Sequence, residues 1–392
     1  MARILFAWEL GAGIGYADRL SQIATMLAAE GHEPVFALRD ICGPCDFFKD
    51  KNWHVLQAPM PAGNISAVST SFVPSSYADL LQVNCYGNAD FLHRLVSAWH
   101  LLFLALRPDV IVCEYSPVVA LAAWRRVPVI VMGHGYINPP NETDLYPIFD
   151  PGATRQVDQA RLLENVCDVQ RRLGAPVPDK LPPITGGTAQ FVTAFAETDP
   201  YAQFRAHKHA GPIERIDPPQ PPPQEPNVYA YLSGSHPQIR MLLQGIAETR
   251  MPGAAYVKKA TPEMKQYLRE RKVHVYDKPP PLADTVNNAS VIFHHGGAAT
   301  LATAMGAGRP QVLWSEVADQ QVSATMIDKL GMSVHGRRRL GNAAQLTKAL
   351  RDLANPDGDA SKRAMAYAND IQQRGEHGSI TTICSTIRQM VS

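Results

Sequence analysis

Residues 217–226 read Asp-Pro-Pro-Gln-Pro-Pro-Pro-Gln-Glu-Pro. Proline at this density cannot continue a helix or join a central strand, and it favours an extended, semi-rigid spacer. The run divides the sequence into halves that open in the same way. In the first, residues 4–8 are an apolar run of strand length, followed by Gly11, Gly13 and Gly15. Residues 19–29 then place Leu20, Ile23, Ala24 and Leu27 on one helical face. Gly31 stops that helix, and residues 34–38 begin a second strand. In the second half, residues 228–232 lead through Ser233, Gly234 and Ser235 into a helix over 238–248. Strand, glycine turn, helix and strand form a βαβ unit, which implies a parallel sheet with right-handed crossovers.

The alternation continues on both sides. Strands are expected at 110–113 and 127–132 around a small-residue helix over 118–124, with a further helix near 156–173. After the prolines, strands are expected at 255–258, 273–276, 291–293 and 311–313, and helices at 298–305, 320–330 and 343–354. The chain thus reads as α/β throughout, with a first domain over 1–215, a linker over 216–227, a second domain over 228–375 and a closing helix within 376–392. At 392 residues it is long enough for two ordinary domains.

Formal net charge is +1, so no broad field favours nucleic acid or an anionic membrane, although a local patch stays open. The local run Arg337-Arg338-Arg339 reads as a solvated loop. The most apolar stretch, residues 91–106, is interrupted by His93, Arg94 and His100 and is short for a bilayer span; it is expected as a buried helix. The opening residues lack the basic start and apolar core of a secretory signal, so a cytoplasmic location is expected. Cys42-Gly43-Pro44-Cys45 has the look of a thioredoxin active site over four residues, but a turn and short helix explain it, and no disulfide framework is expected.

Ligands of open parallel sheets bind beyond the carboxyl ends of the strands. The most informative such end is Phe293-His294-His295-Gly296-Gly297-Ala298-Ala299-Thr300, where an apolar strand delivers histidines and glycines to the start of a small-residue helix. Glycine lets backbone approach a ligand, and free N–H groups with the helix dipole favour an anion. A tight turn with a satisfied histidine accounts for the segment equally well.

His294-His295-Gly296-Gly297-Ala298-Ala299-Thr300, then Gly308-Arg309-Pro310 and Asp319-Gln320, resembles the donor signature of nucleotide-sugar glycosyltransferases of the GT-B fold, in particular the bacterial antibiotic-type and plant secondary-product enzymes. The N-terminal glycine turn with Gly13 and Gly15, followed by Gly31-His32-Glu33, is similar to the opening of that family. The resemblance implies two Rossmann-like domains facing a cleft, with the final helix packing back on the first. It implies a hexosyltransferase that moves a sugar, with inversion, from a UDP- or dTDP-sugar to a small acceptor, UDP being favoured. By the same resemblance His294 contacts the donor diphosphate, with Gly296, Gly297, Ala298, Ala299 and Thr300 supplying backbone or hydroxyl donors. Gly234 and Ser235 close around the phosphates, the base lies against the segment from Tyr276 to Leu282, and Asp319 and Gln320 hold sugar hydroxyls. Asp319 also reads as an ordinary helix cap.

No metal or other cofactor is expected, since amides, helix dipole and histidine can stabilise a leaving diphosphate. Apolar and aromatic residues within 72–99, with the loop over 136–147, suggest a moderately apolar acceptor, although core packing explains many of them. Two departures from the family stand out. Ala299 replaces a usual glycine, and Tyr16 stands where many members carry the histidine that deprotonates the acceptor. A phenol with an ordinary pKa near 10 is a poor base at neutral pH. His134 and Glu114, at the ends of neighbouring strands, are the alternative candidates. An acidic acceptor that needs little help, a silent sugar-nucleotide binder, and an epimerase of the same fold remain as rival readings.

Overall fold

The computed structural model describes residues 1–11, 13–43, 45–60, 74–150, 152, 157–376 and 378–392, apart from the side chains of Cys45 and Asp46. It divides into two compact units. The first comprises Met1–Thr193, Asp199–Gly211 and Gly378–Ser392; the second comprises Ala194–Thr198 and Pro212–His377.

The first unit is built on β1 (Arg3–Trp8), β2 (Glu33–Leu38), β3 (His54–Gln57), β4 (Val110–Glu114), β5 (Val129–Gly133) and β6 (Ala189–Val192), in the order β3-β2-β1-β4-β5-β6. All its pairings are parallel, so every strand ends at the same edge. Its central strands are buried on both faces: Ile4, Leu5 and Phe6 of β1 and Val110, Ile111 and Val112 of β4 are solvent-free. That is why they read as continuous apolar runs without alternation. The helix Gly15–Ala29 buries Leu20, Ile23, Ala24 and Leu27, the face its spacing predicts. The closing helix Ser379–Val391 belongs to this unit, where Arg388 forms a two-pronged ion pair with Glu30 (2.6 and 2.8 Å).

The second unit contains β7 (Val228–Ser233), β8 (Gly253–Lys258), β9 (Val273–Tyr276), β10 (Val291–His294), β11 (Gln311–Leu313) and β12 (Ser333–His335). Their order is β12-β11-β10-β7-β8-β9, again all parallel. One face of the sheet packs Phe293, Val312 and Trp314 against Leu242, Ile246, Leu346 and Leu350 from two helices. Burying each of these side chains contributes about 1.5–3 kcal/mol.

The proline run does not float between the units; it is part of the second. The buried Arg309 guanidinium donates to the carbonyls of Gln220 and Ala307 (both 2.9 Å) and Asn287 (2.8 Å). Its desolvation, which lowers the guanidinium to about 10, is offset by these carbonyls. β3, β6 and β12 are absent from the sequence-based reading because they are short edge strands with mixed polarity.

Candidate functional site

In the second unit, His294 is the last paired residue of β10, opposite Tyr231 of β7 and Leu313 of β11. Its ring is solvent-free, and both nitrogens are engaged. Nδ1 accepts the Gly296 N–H (3.1 Å), so Nε2 carries the proton and donates to Gln311 Oε1 (2.8 Å). Burial drives its pKa down to about 3, with a smaller push from His295, and the imidazole stays neutral. This corrects the expectation that His294 reaches a diphosphate: its hydrogen bonds are spent on the turn. Gly296 is corrected with it, because its N–H is the one His294 accepts. Its glycine identity follows from a φ of +93°.

The histidine at the mouth is His295, the first residue beyond the strand. It is partly exposed, its ring stands edge-on to Tyr231 (5.2 Å, 81°), and it donates to the Tyr231 backbone carbonyl. Burial lowers its pKa; the nearby Glu316 and Asp319 carboxylates and the Tyr231 bond oppose that shift, while Lys258 adds to it. A Cβ on Gly297 would sit 3.0 Å from His295 Nε2, so the glycine gives that ring room. The helix Ala298–Gly306 starts immediately after, and no side chain caps it. Its first intrahelical bond runs from Leu301 to the Gly297 carbonyl (3.0 Å), which leaves the Ala298, Ala299 and Thr300 amides as first-turn donors. Ala299 lies inside this helix, where alanine is the favoured residue, so the missing glycine costs nothing in backbone.

Asp319 is brought to the same mouth, close enough to His295 to act on its charge. Gln320 closes the preceding loop: its Oε1 accepts the N–H of Glu316 (2.8 Å) and of Val317 (3.4 Å). The cap expected of Asp319 is thus made by Gln320, at the third position of the helix Ala318–Asp328. Gly234 is required by backbone proximity, since a Cβ there would lie 2.6 Å from the Lys259 carbonyl oxygen. Ser235 pairs with the Ser233 hydroxyl (2.8 Å). Tyr276 and Leu282 pack together against the cluster containing Tyr229 and Ile292, and Tyr276 meets the His274 ring edge-on (4.5 Å). Arg337 is no free loop cation; it donates to the Ser315 carbonyl (3.1 Å) at the end of β11.

In the first unit, the ends of β1, β4 and β5 gather Tyr16, Glu114 and His134. Gly11 (φ +81°) and Gly13 (φ +105°) form the turn after β1, and Gly15 starts the helix. The Tyr16 ring is buried, stacks on Trp8 (5.3 Å) and presses its hydroxyl against Gly11, where a Cβ would lie only 2.5 Å away. Glu114 is fully buried, and its carboxylate is gripped by Arg19 through Nε (3.0 and 3.1 Å) and Nη2 (2.6 Å). Glu114 as a proton acceptor is corrected: it neutralises Arg19. His134 follows Gly133 (φ +145°) at the end of β5 and opens the short helical turn Gly135–Ile137. That turn rests on Asp199, whose carboxylate fills the space a Cβ on Gly135 would need. Asp199 in turn binds Arg205 and His209 (2.7 Å to the latter), and these partners hold it in the ionised form despite burial.

Sequence reasoning passed over Arg19 and Glu9. Glu9 lies just past β1 and accepts from Trp99 Nε1 (2.5 Å) and the amides of Val118 and Val119 (2.9 and 3.1 Å), tying β1 to the helix Pro117–Ala123. Burial pushes its carboxyl up to about 8. An acidic residue in an otherwise apolar strand end was the available signal. Pro44 and the Cys45 side chain, part of the thioredoxin-like tetrapeptide, lie outside the described residues; Cys42, Cys85, Cys113, Cys167 and Cys384 are free thiols. Among the described residues no group of three or more His, Cys, Asp or Glu side chains could hold a metal ion.

Comparison with known proteins gives these features a setting. Residues 273–384 match the family model described as erythromycin biosynthesis protein CIII-like, C-terminal domain. Over 86 residues, 22% of this chain and 21% of the relative, the sequence is 35% identical to the vancomycin aglycone glucosyltransferase of Amycolatopsis orientalis. The chain therefore spans about a fifth of that relative's length in the alignment. A calicheamicin glycosyltransferase structure superposes with TM-score 0.72 at 18% identity, covering 100% of this chain and 98% of the other. A Phytolacca americana structure, complexed with UDP-2-fluoro-glucose and pterostilbene, superposes with TM-score 0.61 at 14% identity, covering 98% of each chain. Residues 273–384 are thus similar to the erythromycin CIII-like C-terminal domain, and the chain as a whole has the GT-B fold.

Proposed function

We propose that the protein is an inverting glycosyltransferase that takes a sugar from a UDP- or dTDP-sugar, UDP favoured, and transfers it to a small, moderately apolar acceptor. The observation that carries this reading is the second-unit mouth, where a partly exposed His295, an uncapped helix start and Asp319 come together. First-turn amides suit a diphosphate that gains charge as the glycosidic C–O bond breaks, and His295, whose one neutral N–H goes to Tyr231, offers the diphosphate a second N–H when its ring is protonated. Asp319 suits the hydroxyls of the sugar. Ala299 and Thr300 contribute amide donors, and the segment from Tyr276 to Leu282 offers an aromatic and an aliphatic surface for the base. No metal or resident cofactor enters this scheme; the nucleotide sugar is a substrate. The Phytolacca structure, with a UDP-sugar and a phenolic molecule, supports the pairing of ligands. In the first unit, the exposed Ile14 and Ile41 beside the glycine turn support an acceptor with apolar surface. His134 is the proposed base. It would take the acceptor hydroxyl proton as the oxygen bonds to the anomeric carbon and the nucleoside diphosphate departs, so an α-linked donor gives a β-glycoside. A cytoplasmic setting completes the reading and agrees with the free thiols.

A second reading, donor binding without transfer, is favoured by one observation: Glu114 is consumed by Arg19, and Tyr16 is packed into the wall. Incubation with UDP- and dTDP-sugars, with and without phenolic and alcoholic acceptors, separates the possibilities. Free nucleotide with a glycosylated product supports transfer. A sugar altered at one stereocentre would mean epimerisation, and saturable donor binding without any turnover would mean a silent binder.

A further inference from the structure

The helix Ala89–Leu106 differs from its sequence-based expectation in one respect. One face of its first three turns is buried, through Leu92, Leu95, Val96 and Trp99. Its last two turns are not. Leu101 and Leu104 are 68% and 72% exposed, and Ala105 beside them is also exposed. Mean hydropathy over the helix reaches 1.2, yet only 22% of it is buried. At such exposure the leucines protrude and line no groove.

The surroundings of this tip are basic. Arg107 follows the helix directly in a left-handed conformation (φ +49°) and is exposed. The His100 ring meets the Ala122 carbonyl (3.0 Å), which brings the segment Trp124-Arg125-Arg126 alongside. There the Arg125 guanidinium stacks on the Trp124 ring (4.5 Å), and Arg126 is close enough to His100 to help lower its pKa, behind burial. Of the nearby acids, Glu33 pairs with Arg3 (2.9 Å), while the exposed Asp109 accepts only the Arg3 backbone amide (2.7 Å) and keeps its charge, so Arg107, Arg125 and Arg126 leave the tip with an excess of positive charge. The helix ends where β4 begins, so this tip sits at the amino-terminal edge of the sheet, opposite the strand ends that carry Tyr16, Glu114 and His134.

We propose that this helix tip is a peripheral docking surface for an anionic lipid bilayer. Leu101 and Leu104 would enter the acyl boundary, Trp124 would lie at headgroup level, and Arg107, Arg125 and Arg126 would face lipid phosphates. Protruding aliphatic side chains rimmed by arginine and one indole fit a fluid, negatively charged surface. A second copy of this chain seated symmetrically on the same patch would set its arginines against each other. Binding by two leucines and a few arginines is reversible, and the chain neither spans nor permanently anchors. Docking at this edge leaves the carboxyl ends of the first unit's strands on the opposite side of the sheet.

Flotation of the full chain with large unilamellar vesicles tests this. Vesicles of phosphatidylcholine with about a third phosphatidylglycerol should carry the protein; pure phosphatidylcholine should carry little, and added salt should release it. Leu101→Glu with Leu104→Glu should lower binding at least about tenfold, and Arg107→Ala with Arg125→Ala about twenty-five-fold, near fivefold for each arginine. UDP binding and circular dichroism, unchanged in both variants, establish that they fold. The proposal is overturned if the wild type ignores anionic vesicles, or if the glutamate variant binds them equally. It is equally overturned if the leucine changes abolish only a concentration-dependent dimer seen by sedimentation.

Discussion

Arg19 holds both carboxylate oxygens of Glu114 in a buried ion pair, with its Nη2 2.6 Å from Oε1, directly beneath the stacked Tyr16 ring. A carboxylate bound in this way cannot collect a proton from an acceptor without stranding a buried guanidinium. Glu114→Gln should therefore act on stability, lowering it by roughly 3 kcal/mol by denaturant titration, with transfer by the surviving folded protein within a few-fold of the parent. A loss of a hundredfold in kcat at unchanged stability would restore Glu114 as a base.

The two histidines of the second unit should part company. His295→Ala should weaken UDP binding about ten- to a hundredfold, the loss of one hydrogen bond to a charged group, with little change in stability. His294→Ala should do the reverse, leaving Gln311 Oε1 and the Gly296 amide without partners at a cost of about 2–4 kcal/mol. Calorimetry with UDP, alongside thermal unfolding, distinguishes these outcomes.

Acid should destabilise the second unit for a definable reason. His294 takes up a proton near pH 6.5 when unfolded and only near 3 when folded. Between those values the unfolded chain binds more protons, so stability falls as pH drops from about 6.5 toward 3, by up to about 1.4 kcal/mol per pH unit for this residue. Burial lowers His236, His295 and His335 as well, which adds to the same trend. In H294Q the slope of unfolding free energy against pH should shrink by one proton; an unchanged slope would place the acid sensitivity elsewhere.

The Tyr16 hydroxyl rests against Gly11, and its ring is fixed by Trp8. Tyr16→Phe keeps that packing and should retain most of kcat. His134→Ala, at the end of β5, should lower kcat by about 10²–10⁴-fold if imidazole is the base. The decisive measurement is the pair of kcat values with acceptor KM held in view. A hundredfold loss in Tyr16→Phe at unchanged acceptor binding would give the phenol a catalytic role.

Asp319 and Gln320 are adjacent but do different things in the fold. Asp319→Ala should reduce affinity for the intact sugar nucleotide more than for free UDP. Gln320→Ala removes the cap on Glu316 and Val317 and should cost about 1 kcal/mol of stability as well. If Asp319→Ala weakened both ligands equally, its role in sugar recognition would be withdrawn.

Much of this protein follows from sequence by physical necessity. Continuous apolar runs of strand length such as those around Ile4 and Ile111 read as strands buried on both faces once the flanking turns are counted, and the glycine turns and helical spacing beside them favour parallel crossovers. The short β3, β6 and β12 escape such reasoning, since pairing at a sheet edge decides them and local pattern does not. The site divides along the same line. Strand ends and helix starts near His294 and Thr300 are local features, and the sequence placed them. Which histidine is spent on Gln311 and which is left at the mouth depends on the residue opposite in β11, seventeen positions away. Likewise the glycine turn before Tyr16 is plain to read, but the partner that occupies Glu114 comes from a helix ninety-five positions distant. Side-chain periodicity is a local property, whereas hydrogen-bond ownership belongs to whatever the fold brings within about 3 Å, and only the tertiary structure determines that.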